Sequence, residues 1–317
     1  MKEPIIQTYE LTKVFKRTVA VNNLNLRVTS GIYGFLGPNG AGKTTTIKML
    51  VGSLFPTAGR IELFGQDIRS RDSINLRKKI GYVPEHPTYF LGMTAEGLLE
   101  YVGSTFHLPK LELKQKITEL LKLVNLTEAR NRVILKFSAG MKQRIGIAQA
   151  LINDPDLLIL DEITSNLDPL GRNQMITLLQ DLRQEGKTMF VSTHILPEVQ
   201  KMHADSIGII DHGHLIMEGT IDELNKKLGG KLVRISPNHP LFRKALSPFV
   251  SNITEELDTF IVETDNKDRV WQTIAEISLQ HHITLTEFRS TGLEIEQIFM
   301  EAIDREKTQE VSYAPKK

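Results

Sequence analysis

The run Gly37-Pro38-Asn39-Gly40-Ala41-Gly42-Lys43-Thr44 has the spacing G-x-x-x-x-G-K-[ST], which suits the capture of phosphate. Glycines let the backbone curl so that successive N–H groups face phosphate oxygens. Lys43 adds a point charge, and Thr44 offers a hydroxyl to Mg²⁺. Thr45, the next hydroxyl, is grouped with the same binding loop. Ile32 to Leu36 forms an apolar run read as a buried strand, and the pattern after the loop predicts a helix over 43–54 whose positive end faces inward. Strand, glycine-rich loop and helix together point to nucleotide phosphates as the ligand.

Hydrolysis needs more than phosphate binding, and two further strand ends carry suitable groups. Leu157-Leu158-Ile159-Leu160 is continuously apolar, as expected for a parallel strand covered on both faces, and it runs into Asp161-Glu162. Asp161 is suited to ordering Mg²⁺, and Glu162, pointing elsewhere, to polarising an attacking water. A second strand over 188–193 ends at His194, at the carboxyl edge where ligands of open parallel sheets bind. Its expected role is to hold the terminal phosphate and water in line. The pair His281-His282, and His212 and His214 around Gly213, lack cysteines for a transition-metal site.

The segment Phe137-Ser138-Ala139-Gly140-Met141-Lys142-Gln143-Arg144 places Ser138 to cap a helix with apolar Ile145, Ala148 and Leu151. Lying between the phosphate loop and the Asp161-Glu162 strand, it resembles the signature motif of ATP-binding cassette (ABC) proteins. Other segments follow that family's order. Phe15 falls where an aromatic stacks on adenine, Glu85 in Gly81-Tyr82-Val83-Pro84-Glu85 falls at the Q-loop, and Ser165-Asn166-Leu167-Asp168 falls at the D-loop.

The resemblance implies an α/β ATPase core, with a mostly parallel sheet, an N-terminal antiparallel β part and a helical subdomain. It also implies a head-to-tail dimer, homodimeric or heterodimeric, in which Ser138 and Gly140 act on nucleotide held by the other subunit, with Ala139 and Asp168 also nucleotide-binding. Phe15, the phosphate loop from Gly37 to Thr45, Glu85 and Asp161 would bind ATP and Mg²⁺, with Thr44, Glu85 and Asp161 at the metal. Lys43, Glu162 and His194 would be catalytic.

Several positions depart from the family pattern. Glu85 stands where Gln is usual, and it is expected to contact the metal or its water while ionised. Ala139 and Met141 replace Gly and Gln, and Ile163 replaces Pro. Asn166 replaces a glycine, a change expected to be tolerated because Asn accepts left-handed backbone.

Composition sets the frame for these segments. At 317 residues the chain has room for about two domains and for burying about three quarters of its unfolded surface. The absence of cysteine removes disulfides and thiolate metal sites and fits a cytosolic protein. A formal net charge of +1, without a long Lys/Arg run, gives no reason to expect nucleic acid as a partner. The first ten residues contain no apolar core of a signal peptide, and no window reaches the roughly 18 apolar residues of a membrane span, so the chain itself is expected to be soluble.

Residues 1–228 are read as the ATPase domain, with a helical subdomain at about 86–137. A hairpin over 206–217 turns at His212-Gly213, and Thr220-Ile221-Asp222-Glu223 reads as a capping box. The boundary is placed at Gly229-Gly230. Residues 231–305 read as a small α+β domain, with strands at 231–235 and 260–263, a helix carrying Trp271, Ile274 and Ile277, and another carrying Ile295, Ile298, Phe299, Ala302 and Ile303. The polar tail 306–317 is expected to be disordered.

ATPase subunits of type-2 ABC exporters carry an appendix of this kind. The expectation is therefore an ATPase that powers transport, in the direction of export, through a separate membrane permease from the cytoplasmic face of the membrane. An importer ATPase, or a soluble mechanical ABC ATPase working on nucleic acid or the ribosome, is the alternative. A GTPase-type switch would need N-K-x-D, and Asn266-Lys267-Asp268 is followed by Arg269.

Overall fold

The structure, a computed structural model, describes residues 3–228, 232–264 and 266–291. It divides into two compact units, Met1–Glu218 and Gly219–Lys317. The division precedes the capping-box helix, whereas the predicted boundary at Gly229-Gly230 follows it and lies outside the described residues.

In chain order the first unit carries strands β1 (Ile6–Phe15), β2 (Thr18–Leu24), β3 (Arg27–Val28) and β4 (Ile32–Leu36), helix α1 (Lys43–Leu50), strands β5 (Ala58–Leu63) and β6 (Gln66–Asp67), helix α2 (Ser73–Lys78) and strand β7 (Ile80–Val83). Helices α3 (Ala95–Thr105), α4 (Lys110–Leu123) and α5 (Ala139–Ala150) follow. The unit then alternates β8 (Leu157–Asp161), α6 (Pro169–Gln184), β9 (Thr188–Thr193) and α7 (Leu196–Lys201), and ends in β10 (Ser206–Asp211) and β11 (His214–Gly219).

Two sheets result. One is antiparallel, in the order β2-β1-β5-β6 with β3 against β1; the other is six-stranded, in the order β11-β10-β4-β9-β8-β7. From β10 across to β7 the second sheet is parallel. Its strands β4, β8 and β9 are buried at every residue, which is why they carry apolar runs rather than an alternating pattern, with hydroxyls at the two ends of β9. The register sets Leu36 beside Thr193 and Asp161 beside Ser192, so three loops leave the sheet side by side at its carboxyl edge. Phe190 of β9 stacks on Tyr33 at 5.3 Å and contacts Phe35 at 5.1 Å between ring centroids.

Helix α1 stops at Leu50, short of the predicted Leu54. Gly52 adopts φ +73°, and Ser53 and Leu54 both donate their N–H to the Lys48 carbonyl at 3.0 Å. A left-handed glycine ends the helix before its apolar pattern ends. In the insert between β7 and α5, α3 and α4 bury Leu98, Leu99, Ile117, Leu120 and Leu121, whereas Tyr101 is exposed.

In the second unit, α8 (Ile221–Leu228) starts at the predicted capping box. The Thr220 N–H donates to Glu223 Oε2 at 2.9 Å, and the Glu223 N–H donates to Thr220 Oγ1 at 3.1 Å. Strand β12 (Leu232–Ser236), helix α9 (Pro240–Leu246), strands β13 (Asn252–Glu256) and β14 (Thr259–Glu263), helix α10 (Lys267–His281) and strand β15 (Glu287–Thr291) complete it. The strands form an antiparallel sheet in the order β13-β14-β12-β15. Val233, Ile235, Phe242, Leu246, Phe260, Val262, Val270 and Ile274 form its core. This is the small α+β domain expected. On α10, Ile274 is buried, while Trp271 lies half exposed against Phe288 at 4.5 Å. The predicted helix at 295–303 and the tail lie outside the described residues.

Replacing Phe190 by Ala removes the ring shared by Tyr33 and Phe35, and should cost the first unit about 3–5 kcal/mol in chemical denaturation. A loss below about 1 kcal/mol would show that the two neighbouring rings collapse into the space.

Candidate active site

The phosphate loop turns between β4 and α1 on two glycines with positive φ, Gly40 at +86° and Gly42 at +107°. Gly42 is doubly constrained, because a Cβ there would lie 2.5 Å from the Ala20 carbonyl oxygen. The loop is closed by the Ala41 N–H donating to the Pro38 carbonyl at 3.2 Å. Lys43 is 5% exposed, and its ammonium donates to the carbonyls of Gly37 at 2.6 Å and Pro38 at 3.0 Å. Its remaining partner is Glu162, with Nζ 3.0 Å from Oε1. Two carbonyls and one carboxylate thus surround the ammonium.

Glu162 is itself buried, and its backbone is left-handed at φ +49°. That turn breaks the strand alternation and swings the carboxylate toward Lys43. The other carboxylate oxygen, Oε2, lies 2.5 Å from Nδ1 of His194. His194 stays 38% exposed, so one face of the imidazole is open to a ligand. Lys43, Glu162 and His194 therefore form a continuous polar chain across the ends of three adjacent elements.

Asp161 sits one residue deeper. Its Oδ1 accepts from Ser192 Oγ at 2.7 Å and from Thr44 Oγ1 at 3.4 Å. Burial pushes its carboxyl above the ordinary range and the charge of Glu162 adds to this, while both hydroxyls and Lys43 pull it down. The Tyr82 hydroxyl on β7 is raised to about 12, chiefly by burial and further by Asp161. Thr44, Asp161 and Ser192 present hard oxygen donors. Among the described residues no group of three or more His, Cys, Asp or Glu could hold a metal ion. One carboxylate with hydroxyls fits Mg²⁺, which binds through few protein ligands and takes the rest from water and substrate phosphates.

An open pocket of about 350 Å³ is lined by Ala20, Asn39, Gly40, Gly42, Lys43, Thr44, Thr45, Glu85 and Glu162. Glu85 thus lines the same pocket as the phosphate loop, with Oε1 3.5 Å from Nε2 of His86. Phe15 does not line this pocket; its ring is 45% exposed at the end of β1, with the Lys13 ammonium 5.2 Å from its centroid.

Ser138 has the predicted capping role, and Asp168, read from the sequence as a D-loop residue, also caps a helix. Ser138 caps α5 by accepting from the Met141 N–H at 3.2 Å, and Asp168 caps α6 by accepting from the Gly171 N–H at 3.1 Å. These two residues, with Ala139, Gly140, Asn166 and Leu167, line a separate pocket of about 460 Å³. It shares no lining residue with the Lys43 pocket. Asn166 does not adopt the left-handed backbone expected of it; in this stretch the positive φ belongs to Glu162.

Sequence reasoning passed over several groups here. Ser192 joins Asp161 to the backbone of Glu162, whose N–H lies 3.1 Å from its Oγ. Gln143, buried on α5, donates to the Glu85 carbonyl at 2.8 Å and so ties the capped helix to the loop after β7. Hydroxyls at the end of an otherwise apolar strand, Ser192-Thr193, were the available signal.

Comparison with known proteins agrees with this geometry. A family model described as ABC transporter matches residues 21–165. Over 225 residues the chain is 43% identical to the bacitracin transport ATP-binding protein BcrA of Bacillus licheniformis, covering 70% of this chain and 72% of that one. The chain belongs to the ABC transporter family, as an ATP-binding subunit. Near full length, it is 32% identical over 309 residues to the linearmycin resistance ATP-binding protein LnrL of Bacillus subtilis, covering 95% of this chain and 99% of that protein. A dimeric ATP-binding cassette solved in a post-hydrolysis state with ADP and Pi matches with a TM-score of 0.61 at 26% identity, covering 68% of this chain and 98% of that chain. The protein is thus an ATPase of the ABC transporter family.

In this ABC ATPase, Ser192→Ala should cost about 1–3 kcal/mol of stability through two lost buried hydrogen bonds. It should also raise the Mg²⁺ concentration needed for half-maximal hydrolysis. An unchanged Mg²⁺ titration would show that Ser192 does not orient Asp161 toward the metal.

Proposed function

We propose that this ABC ATPase powers export through a separate membrane permease, by ATP-driven head-to-tail closure of two such subunits. The observation that carries this reading is the separation of the two pockets. The Lys43 pocket has charge, hydroxyls and carboxylates for a phosphate, while the pocket at Ser138, Gly140 and Asp168 offers a helix N-terminus with no phosphate loop beside it. Facing copies in antiparallel arrangement would complete each site with the other's helix, as a homodimer or a heterodimer.

In this scheme Lys43 and Thr44, with the loop from Gly37 to Thr45, hold the β- and γ-phosphates. Asp161, Thr44 and Glu85 hold Mg²⁺, which when bound supplies positive charge to the phosphate oxygens. Glu162 takes the proton of the attacking water, and His194 positions water and phosphate. Ser138, Ala139, Gly140 and Asp168 act in trans. Phe15 supplies a ring for adenine from the end of β1.

The permease reading is supported by the helical insert, where Phe90, Leu91 and Tyr101 are exposed and Phe90 meets Tyr101 edge-on at 6.1 Å. Among the described residues no helix is long and apolar enough to cross a membrane, so membrane attachment is assigned to the permease, at the cytoplasmic face. Export is favoured because LnrL is named for linearmycin resistance and BcrA for bacitracin transport, and resistance is served by moving a toxic compound outward. For the second unit we assign a regulatory or dimer-stabilising role.

Glu162→Gln should lower turnover on the order of 10²- to 10⁴-fold while leaving ATP binding intact. Turnover equal to wild type would remove Glu162 from the role of base. The same variant, tagged, expressed in the native host and recovered from membranes solubilised with ATP and Mg²⁺, should bring down a stoichiometric polytopic membrane protein, identified by mass spectrometry. Ribosomal or DNA-associated partners without a membrane protein would overturn the transport reading.

A further inference from the structure

Below the catalytic chain lies a further buried carboxylate with no part in the scheme above. Glu198, in the first turn of α7, is 2% exposed. Its Oε2 accepts two hydroxyl hydrogen bonds, from Thr164 at 2.6 Å and from Thr193 at 3.0 Å. Thr193 immediately precedes His194, and its Oγ1 also accepts the Ile195 N–H at 3.0 Å, so that hydroxyl holds the backbone on the far side of His194. Thr164 stands two residues after Glu162 and opens the turn to Asp168, with the Leu167 N–H donating to its carbonyl at 3.2 Å. Glu198 Oε1 lies 3.1 Å from Nε of Arg172, an ion pair too oblique to count as a hydrogen bond. Arg172 sits in the first turn of α6, its N–H donating to the Asp168 carbonyl at 2.9 Å.

One carboxylate therefore holds the His194 segment, the segment after Glu162 and the start of the helix that Asp168 caps. Burying a charge at this depth is costly unless its partners are fixed, so those three segments cannot shift independently without leaving Glu198 undersatisfied. We infer that Glu198 is a positioning residue for hydrolysis, which sets His194 relative to Glu162 and ties both to the Asp168 turn on the other pocket. It is buried and lines neither pocket, and it acts through Thr193, Thr164 and Arg172. Only ATP hydrolysis is invoked, so the direction of transport does not enter, and wild-type turnover serves as the control for the ATPase itself.

The test is steady-state hydrolysis by the full chain, with kcat and KM for ATP measured separately for Glu198→Gln, Thr193→Val and Thr193→Ser. Thr193→Val keeps the shape and loses the hydroxyl; Thr193→Ser keeps the hydroxyl and loses only a methyl. Displacing a catalytic group by a fraction of its reach costs about 10- to 100-fold, so kcat should fall by that factor in Glu198→Gln and Thr193→Val. KM for ATP should stay within about twofold, because the phosphate loop is untouched, and Thr193→Ser should restore turnover to near wild type. A purely structural Glu198 would instead give wild-type kcat in Glu198→Gln, or parallel losses in Thr193→Val and Thr193→Ser that follow their melting temperatures. Either result overturns the inference. Should Glu198→Gln fail to fold, the contrast between Thr193→Val and Thr193→Ser decides alone.

Discussion

An ammonium group buried to the depth of Lys43 must be matched by acceptors, and the architecture of the first unit follows from how that match is made. Two acceptors come from the loop itself, the carbonyls of Gly37 and Pro38, and the third is the carboxylate of Glu162, which lies more than a hundred residues further along the chain. Removing one partner of such a pair leaves a charge uncompensated, at a cost of about 3–5 kcal/mol. The end of β8 therefore has to arrive beside the end of β4. Strand β9 intervenes, and it contributes Ser192 on one side and His194 on the other.

Parallel pairing makes that arrival possible, because it gathers the carboxyl ends of strands from distant segments at one edge. The cost is that both faces of the sheet need cover. Helices supply it, and the strands respond with side chains that are apolar throughout. The polar groups that reach the site sit on the last one or two residues of β8 and β9, where the chain leaves the sheet. Thr193, Ser192 and Asp161 are buried at these ends and all carry hydrogen bonds to one another's neighbours. Chemistry at this edge is built from residues that the apolar core cannot accept a step earlier.

This explains what was legible in the sequence. The phosphate loop is a contiguous motif whose spacing carries its own geometry, and the apolar runs before Gly37, Asp161 and His194 announce buried parallel strands. The end of α1 was misread because apolar Leu54 prolongs the pattern past Gly52, whose positive φ decides the matter. Asn166 was assigned a left-handed backbone by analogy with a glycine, while the residue that adopts one, Glu162, is of a type that gives no hint of it. Glu198 and Arg172 were invisible for a different reason. A glutamate on a short helix and an arginine in the first turn of a longer one look like solvated charge until tertiary packing pairs them. In the second unit, β13 and β15 escaped notice because Asn252–Glu256 and Glu287–Thr291 are largely polar, and only pairing with neighbouring strands makes them strands.

The left-handed backbone at Glu162 shows how the site keeps a conformation that costs about 1–3 kcal/mol for a residue with a Cβ. Such a conformation survives only where its surroundings leave no alternative. The Glu162 N–H is held by both the Oγ and the carbonyl of Ser192, at 3.1 and 3.2 Å. Its carbonyl accepts the Ser165 hydroxyl at 2.8 Å and the Ser165 N–H at 3.2 Å. Its two carboxylate oxygens face different partners, Lys43 and His194. Backbone and side chain are thus restrained at both ends, and relaxing φ would break the ion pair that neutralises Lys43. The strain is stored where the buried charges need it, and the same contacts that hold it fix the carboxylate in the direction a water molecule must be addressed.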